Sequence, residues 1–443
     1  MISGFSCCFE NRLLVGALLV VMCAFATNAR AAEIKTLTLD QALSIAMEKN
    51  RNIAKAREYG KYVQGKYVEE RAAALPQLSI SGGGYYGQDT SQKALYGINL
   101  RQFSRVVDLN FSQPLFTWGK IGAAIRAAEV GMKTAEEQLR IYRQAAWRDV
   151  SIAFYDVLLS KELHQLSIEN LAQKKRLQEE ARRRFTAGTA TDYDVLAAEV
   201  AVENAVPETI RTDNTIRTVR EKLRFLLALE AQEVDAAGAL STEIKAVKAY
   251  NEAFAEAADK RPELSDIKLR VGIYKELVKI AESNNKPRID LKGGAGWHWL
   301  DVTAPGVDRA ASGEAWNIGV YLTFPFFDGL RTSGLVAQAK SDLKTKEIEE
   351  MSLLDSVALE VRNACNAVRE SGEIVNALGG TVKQAEKLLQ MAEKGYEYGV
   401  KIRLEVDDAQ LNLLHAKSSL ARAQRDYRVA VVNYLWATGI AGE

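Results

Sequence analysis

The sequence predicts a mainly α-helical chain whose four short strands form one part of a transmembrane β-barrel closed by further copies of the chain. Three observations predict it. The chain repeats itself once, two hairpins alternate apolar and polar residues, and the segments after them are too long for the helices of a compact domain.

The repeat organises everything else, and internal similarity of this kind is the first thing to look for in a sequence. An offset of 211 residues lays Leu39, Ala42, Leu43 and Ala46 on Tyr250, Ala253, Phe254 and Ala257. The same offset carries Pro76 to Pro287, Gly82 and Gly83 to Gly293 and Gly294, Pro114 to Pro325, and Gly188 to Gly399. The expected organisation is a processed segment over 1–31, a first structural repeat over 32–242 and a second over 243–443.

The processed segment comes first. Arg12 supplies a positive start, Leu13 to Ala26 is uncharged and apolar, and Ala29 and Ala31 place small residues before an expected cut at Ala32. Such a stretch is a secretory signal and is too short to span a bilayer as a helix. In the first repeat, 39–75 reads as a helix, 78–86 and 106–115 as strands, 120–185 as a very long helix and 192–229 as its return. In the second, strands are expected at 289–297 and 316–324, and helices at 331–396 and 403–437. The two hairpins therefore occupy 78–115 and 289–326, and 87–104 and 299–314 are expected to be surface loops.

The strands alternate. Trp316, Ile318, Val320, Leu322 and Phe324 share one face, with Asn317, Gly319, Tyr321 and Thr323 on the other. Val107, Leu109 and Phe111 alternate in the same way with Asp108, Asn110 and Ser112. Period two means that one side meets an apolar medium, and ~9–11 tilted residues suffice to cross a bilayer. Trp297, Trp299 and Trp316, with Tyr85, Tyr86 and Tyr96, are expected as interface aromatics at the outer ends of the hairpins. The span 331–396 holds no proline and carries Met351, Leu354, Ala358, Val361, Cys365, Val368, Gly372, Val375, Gly379 and Val382 at steps of three and four. That is a coiled-coil seam on a helix ~100 Å long.

Composition narrows the function. Removing the signal leaves Cys365 as the one cysteine and balances the charges to a net of zero. Disulfide stapling is thereby excluded, and so is nucleic-acid binding, which needs a basic face. His164, His298 and His415 are far apart, and no zinc, nucleophile-elbow or phosphate-loop motif is present, so neither an enzyme nor a metal or cofactor site is expected.

Four strands cannot close a barrel, and an open sheet cannot stay in lipid, so copies of the chain must complete it. This reasoning fixes neither the number of copies nor their role. The segments Leu37-Thr-Leu-Asp-Gln-Ala-Leu, Gln113-Pro-Leu-Phe-Thr-Trp-Gly, Phe324-Pro-Phe-Phe-Asp-Gly, Phe185-Thr-Ala-Gly-Thr-Ala-Thr-Asp-Tyr-Asp-Val-Leu and Tyr396-Glu-Tyr-Gly-Val-Lys-Ile-Arg-Leu-Glu-Val, in order and in duplicate, resemble the TolC family of outer-membrane efflux proteins. The resemblance implies a homotrimer with a twelve-stranded barrel and a periplasmic tunnel of twelve helices. It implies a Gram-negative outer-membrane exit duct fed by an inner-membrane pump, of the RND or ABC type, through a periplasmic adaptor (membrane fusion protein).

The resemblance also assigns residues. Pro114 and Pro325 are expected to follow the outgoing strands as swivels between barrel and tunnel. The turns at Gly188-Thr189 and Gly399-Val400 would form the adaptor-docking tip. Tyr396, Lys401, Glu405, Asp408 and Asp194 would gate the pore and ring it with carboxylates. Lys401 and Glu405 stand where relatives often carry Arg and Asp, which removes a bidentate arginine contact. The rival reading is a soluble periplasmic coiled-coil scaffold whose strands merely cap hairpins.

Overall fold

The computed structural model describes residues 35–90, 93, 97, 99–230, 232–240, 244 and 246–442. The expected signal at 1–31, Tyr96 and the expected repeat boundary at 242/243 lie outside the described residues.

The expected first helix is two helices. Thr38 caps α1 (Leu39–Lys49), exchanging hydrogen bonds with Gln41. Asn50 breaks it, because its side-chain carbonyl accepts from the N–H groups of Asn52 and Ile53 and so starts α2 (Arg51–Ala72). Its amide also donates to Leu226 O at 3.1 Å, anchoring the break to a distant helix. A side chain that serves both as a cap and as a tertiary link favours the kink over a continuous helix.

The first hairpin, β2 (Gln77–Asp89) and β3 (Leu100–Phe116), leads into α3 (Lys120–Thr186), of 67 residues. Its return is α4 (Asp192–Leu226). The second half runs α5 (Tyr250–Lys260), α6 (Pro262–Glu282), β5 (Arg288–Ala304), β6 (Val307–Thr323), α7 (Arg331–Glu397) and α8 (Arg403–Ala437). Two three-residue strands not foreseen from sequence, β1 (Lys35–Leu37) and β4 (Val234–Ala236), pair in parallel. They are too short to show any period.

The 211-residue offset reappears in the packing. One core gathers Ala42 and Ala46 with Val150, Ala153, Phe154 and Val157. The other gathers Ala253 and Ala257 with Val361, Ala364, Cys365 and Val368, the same positions one repeat later. Alanine at the contacts lets the helices approach closely. Of the expected seam, Val361, Cys365, Val368, Gly372 and Val375 are buried, whereas Met351 and Leu354 stay exposed in the single chain.

The four long strands form one antiparallel sheet in the order β2-β3-β5-β6. They are longer than the alternation predicted. Residues 299–304 and 307–314, expected as loop, continue β5 and β6 and pair as far as Ala304 with Val307, around Gly306 at φ 80°. Beyond the apolar band both faces meet water, so period two falls silent while the backbone ladder continues. Trp297, Trp299 and Trp316 consequently stand midway along the hairpin rather than at its end.

Candidate functional site

The register places the sheet's apolar residues on a single face. Leu78 pairs with Phe111 and Ile80 with Leu109, and these align across β3 with Gly293 and Ala295. Leu291 pairs with Val320, Gly293 with Ile318 and Ala295 with Trp316. Among the described residues no layer packs on this face: Ile80 is 78% and Trp316 75% exposed. The opposite face is polar, with His298 2.9 Å from Asp108 and Asn110 donating to Ser81 at 2.8 Å. Above the aromatics the apolar face turns charged, where Arg105 pairs with Asp301 at 2.8 Å. An apolar band bordered by aromatics and then charge is the profile of a lipid-facing barrel wall. Among the described residues no helix is long and apolar enough to cross a membrane.

Among the described residues β2 and β6 have no strand on their outer sides, so the sheet presents two open edges. Long, flat edges of this kind recruit another strand unless something covers them.

At the base of the sheet, Pro325 follows β6 as expected, but Pro114 does not follow its strand. It lies inside β3, opposite Asp290, where the register shifts between Pro114 and Phe116. β2 has already ended at the pair Gln77–Ser112, so the missing proline N–H costs no ladder bond on that side. The strand-to-helix turns each hold two left-handed residues, Trp118 and Gly119 in the first repeat, Gly329 and Leu330 in the second.

At the far end, Gly188 (φ 75°) and Gly399 (φ 73°) stop α3 and α7. The N–H of Thr189 reaches back to Arg184 O at 2.9 Å, and that of Val400 to Gly395 O at 2.8 Å. Glycine fits this left-handed closure because it has no Cβ. The return helices then start on acids at equivalent positions. Asp194 accepts from the backbone and hydroxyl of Thr191, both at 2.8 Å. Glu405 accepts from Ile402 N at 3.0 Å and pairs with Lys401. The Thr191 bonds hold the Asp194 carboxyl below its usual range, and the Lys401 ammonium, followed by the Ile402 N–H, does so for Glu405.

Between the two hairpin tips lies a cleft of about 300 Å³. Tyr396 and Asp194, both expected at the gate, line it together; Lys401 and Glu405 pair on one helix end outside it, and Asp408 is exposed. Sequence reasoning missed Arg184, Lys174, Arg403 and Asp407. Arg184 donates to the Tyr396 hydroxyl at 2.6 Å and stacks over its ring at 5.2 Å. Asp407 lies 3.4 Å from Lys174 and 3.5 Å from Arg403. The one available signal was the run Arg182 to Arg184 running into the last turn of α3, which reads as ordinary charge at a helix C-terminus. Among the described residues no cluster of three His, Cys, Asp or Glu could hold a metal.

The family profile described as "Outer membrane efflux protein" matches residues 42–229 and 253–439, one span in each half. The outer membrane protein TolC of Vibrio cholerae is 24% identical over 385 residues, covering 85% of this chain and 84% of that protein. A membrane protein from Pseudomonas aeruginosa superposes with a TM-score of 0.79 at 21% identity, over 90% of this chain and 93% of its own. The CmeC outer membrane channel of Campylobacter jejuni superposes at 0.78 and 16% identity, over 91% and 86%.

Proposed function

The chain belongs to the outer membrane efflux protein family, as an exit duct of the Gram-negative outer membrane with a periplasmic tunnel, and from that premise we propose how its copies and partners are arranged. Three copies place β6 of one protomer against β2 of the next, giving a twelve-stranded barrel above twelve long helices. The observation that carries this is the sheet itself, bare on its apolar face and open at both edges. β2 and β6 run in opposite directions, so each new contact is antiparallel like the rest of the sheet. A soluble scaffold would leave that face in water, which the apolar burial energy of ~25 cal/mol per Å² opposes.

The tip turns at Gly188, Thr189, Gly399 and Val400 are the proposed landing point for a periplasmic adaptor, which would link the duct to an inner-membrane pump of the RND or ABC type. Their support is exposure: Val400 is 79% exposed although apolar. Tyr396, Lys401, Glu405, Asp408 and Asp194 are the proposed gate, to which Arg184, Arg403 and Asp407 are added by the cleft. No step here is chemical; conduction is passive. Pro114 and Pro325 are the proposed swivels, and the halves 32–242 and 243–443 the proposed repeats. Fractionation tests the reading. A duct stays in the outer membrane until detergent extracts it, whereas release with the periplasm would support the scaffold.

A further inference from the structure

The base of the sheet borders a cavity of about 570 Å³ whose charges do not balance. Its walls are the ends of α2 and α6, the start of α3, the first residues of β2 and β5 and the last residues of β3 and β6. Pro114, Pro287 and Pro325 stiffen its rim. Ser112 and Thr323 line it, and the register puts both on the polar face, since Gln77 pairs with Ser112 and Arg288 with Thr323. Their neighbours Phe111 and Leu322 point to the other, lipid side. The cavity therefore opens towards the lumen, a placement that rests on the duct reading above.

Two of its charges have acidic or basic partners. Glu70 meets Lys66 at 3.2 Å, and Arg288 meets Asp290 at 2.7 Å. Two others lack a carboxylate. Lys120 bonds the neutral Asn284 Oδ1 at 2.8 Å, and Lys286 makes no ion pair among the described residues. With Asn284 Oδ1 engaged by Lys120, its amide N–H groups remain as donors. The repeat does not demand the charge at Lys286, whose counterpart in the first half is Leu75, whereas Lys120 is matched by another cation, Arg331, in the second.

We propose that this cavity is a station for small multivalent anions, bearing phosphate or carboxylate groups, on their way through the duct. Two uncompensated ammonium groups in a walled recess raise the local concentration of such ions.

Pyrophosphate titrated into the detergent-solubilised full-length protein, followed by calorimetry, tests this. The wild type is expected to bind, and Lys120→Gln with Lys286→Gln to bind roughly thirtyfold more weakly, the size expected for two solvated charges at ~4 Å. Lys120→Arg with Lys286→Arg keeps the charge and is expected to keep the affinity. Equal affinity in the wild type and the glutamine pair, or no binding by the wild type, would overturn the proposal. Loss of pyrophosphate binding on adding phosphatidylglycerol would also overturn it, by reassigning the site to a lipid headgroup. The same preparation in planar bilayers gives an independent reading: absence of channels would overturn the duct and this inference together.

Discussion

Arg184, at the end of α3, donates a 2.6 Å hydrogen bond to the hydroxyl of Tyr396, at the end of α7 and one full repeat away. The contact ties the tip of one helical hairpin to the tip of the other within a single protomer. A hydrogen bond from a charged donor is strong when buried, but this one is exposed, so its net value is ~1 kcal/mol.

Tyr396→Phe removes that bond and keeps the ring. If the contact holds the tip shut, the open population rises roughly fivefold in a two-state gate. Single-channel recording in planar bilayers checks this, with larger or more frequent openings expected. Unchanged openings would assign the contact a purely local role.

Gly399→Ala places a Cβ on a residue at φ 73°, at a cost of ~1 kcal/mol for the left-handed backbone. Space is not the obstacle, because nothing lies within 4 Å of the added carbon. The expected outcome is faster proteolytic nicking at the tip with no change in the sheet. Gly188→Ala is expected to behave alike.

Asp194 and Glu405 have lowered folded-state pKa values, so the stability their caps contribute is fully present above the usual carboxylate range. It is lost as pH falls through the depressed values, below the ordinary 3.8 and 4.5. The protection of tip amides, taken as exchange relative to the intrinsic rate at each pH, is expected to stay flat from neutral pH to about 5 and to fall only in stronger acid. Asp194→Asn keeps an acceptor for the Thr191 N–H and is expected to blunt that acid response.

Neighbouring residues on β6 separate the two faces. Ile318→Arg puts a charge in the apolar band and is expected to cost ~2–4 kcal/mol of membrane insertion. Asn317→Arg points the other way and is expected to insert normally. The yield of outer-membrane protein measures the difference.

Much of this was legible because periodicity and repetition carry physical meaning. The apolar alternation of Trp316 to Phe324 located the bare apolar face of the sheet, and the aligned glycines located the ends of both long helices. What stayed hidden depends on contacts across long separations or on positions with no pattern. The break at Asn50 is stabilised by Leu226, and the pairing of β1 with β4 spans two segments of three residues. The outer halves of β5 and β6 lie where both faces are wet, so their extension left no period to read. Pro114 was expected after its strand because proline disfavours ladders, yet the pairing with β2 stops two residues earlier, at Ser112, and leaves it room. Arg184 belonged to a charge run, and its partner Tyr396 becomes visible once the hairpins are packed together.

The account rests on the two open edges, β2 and β6, being closed by neighbouring copies. Native mass spectrometry of the mature protein released from detergent measures that directly. Three chains per particle is the predicted mass; a lone chain, stable and with the sheet intact, would contradict the account.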